Sequence, residues 1–297
     1  MKTNIGKKSD GSNDRRPWQK GKAKGKKDGK DVQVDKEWLI DTGAELSCIT
    51  ESNARNFDLT ANGVIGGGHA GTAGDPVVAK DGVTMKFRAL KADGTEEEIE
   101  CSITVYVVPD RFPEILGNDQ LAKFGLGVAW NPKTRAGKIF RDPPNADGNL
   151  RGNPRTPGTR RPGQAGTVTG KKAGAAVTAE KEWLVDTGAD VSYITPENAA
   201  KFDLTDAPGG KKRGVTMRFH VTDEAGNEKA VDCSLDVTIG SPDILGMDQL
   251  EAIGAEIVWN PDKQKGRLYL PKAGEELKPE PPAQGEKPKN YGHSWLW

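Results

Sequence analysis

Short alternating runs of apolar and polar residues, broken by turn residues, dominate the chain. "VTMKFRAL" and "EIECSITVYVV" have strand composition and partial alternation, with "ADGT" between them as a hairpin turn. "VTMRFHV" and "AVDCSLDVTI" read the same way, with "EAGN" as the turn. "EWLI" and "EWLV" are brief apolar runs that end at a Gly-containing turn. "NDQLAKFG" and "MDQLEAIG" predict short helices ended by Gly. "WNPKTRAGKI" and "WNPDKQKGRL" predict strand, turn, strand, with Asn-Pro opening the turn. The expected fold class is all-β.

Nearly every element in that list has a twin. Residues 36–60 match residues 181–205 without a gap, and most positions are identical. "GVTMKF" matches "GVTMRF", "EILGNDQL" matches "DILGMDQL", and the order of blocks is the same in both copies. Two copies are too few for a solenoid, so the pattern predicts one duplicated, two-lobed protein. The first lobe is expected over 32–140 and the second over 181–271.

Composition sets the flanks. Hydrophobic residues make up 34% of the 297, and Gly (37) and Pro (19) are abundant, which predicts compact segments joined by disordered ones. Residues 1–31 are rich in Lys and Gly and are expected to be a disordered basic arm. Residues 141–180, rich in Pro, Gly and Arg, are expected to be a flexible linker, and 272–297 a disordered tail. No apolar stretch reaches the length of a membrane span and the N-terminus lacks the apolar core of a secretory signal. An intracellular, cytoplasmic location without membrane contact is the expectation. The three cysteines, Cys48, Cys101 and Cys233, are too few and too scattered for a disulfide framework or a zinc site. With three histidines, a histidine-rich metal site or a His-based triad has little to draw on. No cofactor is expected.

One motif carries chemistry. An apolar strand runs into Asp-Thr-Gly-Ala, a Ser-containing strand follows, and an Ile-Leu-Gly-x-Asp block comes later, all of it twice. "LIDTGAELS" with "EILGNDQL", and "LVDTGADVS" with "DILGMDQL", resemble the retropepsin-like aspartic proteases, the family of retroviral and retrotransposon proteases and their cellular relatives. The resemblance covers residues 36–140 and 181–270, about two-thirds of the chain. In that family each subunit gives one catalytic Asp and two subunits make one site. Here both lobes lie in one chain, as in pepsin-like enzymes. The resemblance implies that Asp41 and Asp186 are catalytic. It implies that Thr42 and Thr187 cross-link the lobes, and that Gly43 and Gly188 let the two loops approach. Ala44 and Ala189 stand where pepsins have Ser or Thr, which implies a less acidic working range. Glu45 and Asp190 match a position that binds substrate backbone, and Ile115 and Ile244 match residues lining central subsites. Gly117 and Gly246 would let that strand pass tightly behind the Asp loop.

The chemistry also stands without the name. Two carboxylates a hydrogen bond apart cannot both ionise, so they share a proton. The ionised one takes a proton from water, which attacks the scissile carbonyl, while the protonated one hydrogen-bonds the carbonyl oxygen. On this reading Asp41 and Asp186 are interchangeable before substrate binds.

The lobes differ between "FDLT" and "GVTM". The first has "ANGVIGGGHAGTAGDPVVAKD" and the second only "DAPGGKKR". The Gly-rich stretch resembles a flap tip, with Gly66, Gly67 and Gly68 expected over the substrate. The expected partner is a polypeptide, bound extended under one flap. Cys48 matches Tyr193, so the two sides of the cleft differ. Pairing of lobes within one chain is expected, and the predicted linker is long enough to allow swapping between chains. The alternative is a non-catalytic peptide-binding or dimerisation module of the same fold, with basic arms that bind nucleic acid through phosphates.

Overall fold

The computed structural model describes residues 5–65, 77–91, 93–141, 148–152, 159–223, 225–234, 236–240 and 242–271. The fold is all-β with a few short helices. The first repeat runs β1 (Trp18–Lys27), β2 (Lys30–Ile40), β3 (Cys48–Thr50), α1 (Glu51–Ala54), β4 (Thr60–Ile65), β5 (Val77–Leu90) and β6 (Glu96–Val108). It ends with β7 (Ile115–Leu116), α2 (Asn118–Lys123), β8 (Leu126–Asn131) and β9 (Ala136–Arg141). The second opens with β10 (Leu150–Gly152), β11 (Pro162–Lys172), β12 (Ala175–Val185), β13 (Tyr193–Ile194), α3 (Pro196–Ala199), β14 (Thr205–Ala207) and β15 (Lys211–Arg213). It closes with β16 (Val215–Thr222), β17 (Glu228–Cys233), β18 (Thr238–Ile239), β19 (Ile244–Leu245), α4 (Met247–Ile253), β20 (Glu256–Asn260) and β21 (Lys265–Tyr269). No helix among the described residues is long and apolar enough to cross a membrane.

Two expectations from composition are corrected here. Residues 5–31 are not a disordered arm, and residues 162–180 are not a linker. Strands β1 and β2 form a long antiparallel hairpin, with Trp18 opposite Leu39 and Lys27 opposite Lys30. Strands β11 and β12 repeat it in the same register, from Gly163 opposite Leu184 to Lys172 opposite Ala175. The lysine-rich run folds because its lysines recur every second residue, which places them on one face of a strand. On that face Lys20, Lys22 and Lys26 stand opposite Glu37, Asp35 and Asp31, and Lys24 pairs with Glu100 at 2.9 Å. The other face carries Gly21, Ala23 and Gly25, with Ala23 fully buried. A Cβ on Gly21 would lie 2.5 Å from the Lys86 carbonyl, and one on Gly25 would lie 2.7 Å from the Phe57 ring. Small residues therefore let β1 close against β5 and Phe57. Asp28 (φ 51°) and Gly29 (φ 74°) make the tight turn, as Ala173 and Gly174 do in the second copy. The tail, residues 272–297, lies outside the described residues.

Each repeat threads one strand behind its Asp-Thr-Gly loop. Strand β7 lies parallel to β2 and antiparallel to β3, and β19 does the same between β12 and β13. The helices α2 and α4 follow at once, ended by Gly125 (φ 63°) and Gly254 (φ 70°) as their sequences predict. The repeats join through equivalent strands. Strand β8 pairs antiparallel with β20, placing Val128 opposite Trp259, Ala129 opposite Val258 and Trp130 opposite Ile257. With β9 and β21 this makes a four-stranded sheet across both repeats. Leu90, Ala129, Ala136, Phe140 and Val258 form a small core at that junction.

Each repeat also holds a buried ion pair. Lys36 Nζ is 3.2 Å from Glu114, which also accepts from Thr50 and from Asn53 Nδ2 at 2.7 Å. Lys181 and Asp243 sit at matching positions, 4.0 Å apart, and Asp243 accepts from the Thr195 amide and from Asn198. Burial draws the Lys36 ammonium below its ordinary pKa, against the pull of Glu114. Removing one partner of such a pair strands a charge. Glu114→Ala is expected to cost about 3–5 kcal/mol in urea unfolding, with Lys36→Met plus Glu114→Leu recovering most of it. An equal loss in the double variant would refute this account.

Candidate active site

Both aspartates sit where an apolar strand ends. The β2 and β12 backbones deliver Asp41 and Asp186 to the centre of the molecule, where each amide bonds back to its own repeat: Asp41 N donates to the Leu116 carbonyl and Asp186 N to the Leu245 carbonyl, both at 3.2 Å. The two carboxyls face each other across the join, Asp186 against Gly43 and Asp41 against Gly188, close enough that each influences the ionisation of the other. Asp41 Oδ1 accepts from the Gly43 and Ala44 amides at 2.8 and 2.9 Å, and Asp186 Oδ1 accepts from the Gly188 amide at 2.7 Å.

The threonines lock the two loops reciprocally. Thr42 Oγ1 donates to the Val185 carbonyl at 3.0 Å and accepts from the Thr187 amide at 3.1 Å. Thr187 Oγ1 donates to the Ile40 carbonyl at 2.7 Å and accepts from the Thr42 amide at 2.9 Å. Both threonines are fully buried, so losing a hydroxyl would leave main-chain groups unpaired in a dry site, at about 1–3 kcal/mol each. Gly43 and Gly188 press against the opposite aspartate. Gly117 and Gly246 pass behind the loops, each too close to the loop backbone for a Cβ. Ser47 and Ser192 fix that crossing, donating to Asp119 and Asp248 at 2.7 Å and accepting from the Gly117 and Gly246 amides at 2.9 Å.

Burial first, and next the negative charge of Asp186, hold Asp41 well above the ordinary carboxyl range. Burial also raises Asp186, opposed by the hydrogen bond from Asp41 and the amides of Gly188 and Ala189. The pair therefore keeps one proton to higher pH than an exposed carboxyl would.

Ile115 lies in register with Cys48, and Ile244 with Tyr193. Burial pushes the Cys48 thiol up to about 12, so it stays protonated. Glu45 and Asp190 are each taken by an arginine from the other repeat. Arg160 donates its amide to Glu45 at 2.9 Å, and Arg15 Nη1 lies 3.2 Å from Asp190 while its Nε reaches Glu251. The indoles of Trp130 and Trp259 hold the two arginine backbones, donating to the carbonyls of Arg15 and Arg160 at 2.9 and 3.0 Å. These residues escape a motif-centred reading. The available signal is a second repeat, Arg-Arg-Pro-x-Gln-x-Gly, at residues 15–21 and 160–166. Gly66, Gly67 and Gly68 lie outside the described residues. In the second repeat the corresponding hairpin is short: β14 and β15 are joined by the single turn Pro208–Gly210. Lys212 ties it to Val237 by two backbone bonds of 2.7 and 2.8 Å.

Compared with models of known protein families and with characterised proteins, the sequence matches none.

Proposed function

We propose that the chain is an aspartic endopeptidase, built as two retropepsin-like lobes in one polypeptide with one site between them. The observation that carries this reading is the facing pair of carboxyls, Asp41 and Asp186, each against the glycine of the opposite loop, between loops that the threonines lock together. A water between the carboxyls and an extended peptide loses a proton to the ionised aspartate, and its oxygen bonds to the scissile carbonyl carbon. The protonated aspartate gives its proton to the carbonyl oxygen, forming a gem-diol. The C–N bond then breaks as the first aspartate passes its proton to the amine and the second recovers one from a gem-diol hydroxyl. The pair ends as it began, with one proton, and the peptide has gained one water.

Two results test the proposal. Purified protein should cut a diverse peptide library at sites identified by mass spectrometry. A protein that cuts nothing between strongly acidic and neutral pH would leave the peptide-binding module as the better account. For substrates it does cut, kcat/KM should be bell-shaped in pH. The pair is active with one proton, and its raised pKa retains that proton as pH rises. The alkaline limb should therefore lie above the range of an ordinary carboxylic acid, and a limb inside that range would contradict the burial argument.

A further inference from the structure

The two repeats place an arginine beside each aspartate, but they treat its charge differently. In the first, Arg16 reaches across to the Gly188 carbonyl, with Nη1 at 3.5 Å. Gly188 in turn presses on the Asp41 carboxyl. Arg16 is neutralised there: its Nε and Nη2 donate to both oxygens of Asp14 at 2.9 and 2.8 Å, and Trp18 Nε1 anchors the same carboxylate at 3.0 Å. Burial disfavours the Asp14 charge, yet the bonds from Arg16 prevail and hold the carboxyl below its usual range.

In the second repeat Arg161 holds the matching sequence position, directly after Arg160, whose amide bonds Glu45 of the opposite loop and whose carbonyl is held by Trp259. The charge of Arg161 reaches Asp186, and the clamp is missing. Thr159 replaces Asp14 and Gly163 replaces Trp18. The Thr159 hydroxyl and the Arg161 Nε are both buried without a hydrogen-bond partner. Among the described residues no carboxylate forms an ion pair with Arg161.

We propose that Arg161 is the residue that makes the dyad unequal: as an uncompensated cation beside Asp186, it assigns Asp186 to activate the water and Asp41 to carry the proton. This rests on the aspartic-protease reading above and removes the interchangeability that the duplicated sequence implies. It makes Arg161 a positioning residue for charge rather than a catalytic one. Burial is the leading influence on both carboxyls and raises both, and the charge of Arg161 is the smallest of the influences on Asp186, favouring its ionised form. Of the other charged groups around the loops, Asp119 accepts from the Ser47 hydroxyl and from Gln120, and Asp248 lies 3.6 Å from Lys211. Arg15 binds Asp190 and Glu251, and Arg160 binds Glu45. The Cys48 thiol, within electrostatic reach of Asp41, is kept neutral by burial.

The test is a pH titration of 13C-labelled aspartate carboxyls by NMR, with Asp41→Asn and Asp186→Asn to assign the two signals. In wild type, Asp186 is expected to ionise first as pH rises. Thr159→Asp supplies the missing counter-charge, so the Asp186 midpoint should rise by about one pH unit, and the acid limb of kcat/KM should rise with it. Arg161→Gln should do the same. Asp14→Thr frees Arg16, so the Asp41 midpoint should fall and the two carboxyls should become more alike. If Asp41 ionises first, or Thr159→Asp leaves Asp186 unmoved, the proposal is wrong. The titration needs no turnover. A protein that never cuts a peptide but titrates as described would lose the protease reading and keep the charge assignment.

Discussion

Asp41→Asn and Asp186→Asn are each expected to abolish cleavage, lowering kcat/KM by at least about 10⁴-fold. The substitution is nearly isosteric. The asparagine oxygen can still accept from the Gly43 and Ala44 amides, or from Gly188 in the other repeat, so the loops keep their shape. What is lost is the shared proton. With an amide at either place, the remaining carboxyl can remove a proton from water or donate one, but nothing on the other side completes the exchange. On the protease reading the loss should fall on kcat, with KM little changed, because backbone contacts along an extended peptide, not the dyad, would supply its binding. Mixing the two variants should restore nothing. The loops, the threonine bonds and the β8–β20 pairing all lie within one chain, and exchanging halves would require opening them together. Recovery on mixing would show that halves swap between chains. Substantial activity in either single variant would show that the two aspartates do not share one site.

What the sequence discloses here is what neighbouring residues decide among themselves. Strands β5, β6, β16 and β17, their hairpin turns and the Gly-ended helices all follow from residues within a dozen positions. The Asp-Thr-Gly loops are legible because a turn motif sits at the end of an apolar run, twice. The β1 and β11 hairpins are missed because average composition hides periodicity. Lys20, Lys22, Lys24 and Lys26 look like a solvated tail until their alternation is set against the acids they face. The crossed arginines are invisible for another reason. Arg15 meets Asp190, and Arg160 meets Glu45, only after the repeats are placed against each other. No local rule encodes that, although the repeated Arg-Arg-Pro hints at a shared task. The difference between Asp14 and Thr159 looks neutral in sequence, and it matters once each is seen beside an arginine.

Gly43→Ala is expected to lower the rate by about 10²-fold or more with all the acid-base groups still present. A Cβ at Gly43 would lie 2.5 Å from Asp186 Oδ1 and closer still to the rest of that carboxyl. The mirror case is as tight, with a Cβ at Gly188 lying 2.6 Å from Asp41 Oδ1. The intruded atom is not the end of a flexible chain. Asp186 is pinned by the Gly188 amide, and the backbone on either side of the contact is held by the reciprocal threonine bonds. Relief must come from moving a loop. A shift of about 1 Å between reacting groups is enough to cost about 10²-fold in rate, and here it would also pull on four buried hydrogen bonds. The expected result is therefore a kcat lower by about 10²-fold or more together with a lower thermal midpoint, because the same displacement loosens the join between repeats. The two readouts separate this from Asp41→Asn, which should remove activity while leaving the midpoint nearly unchanged. If Gly43→Ala kept both its rate and its midpoint, the close crossing of the loops would be wrong, and with it the single site between the repeats.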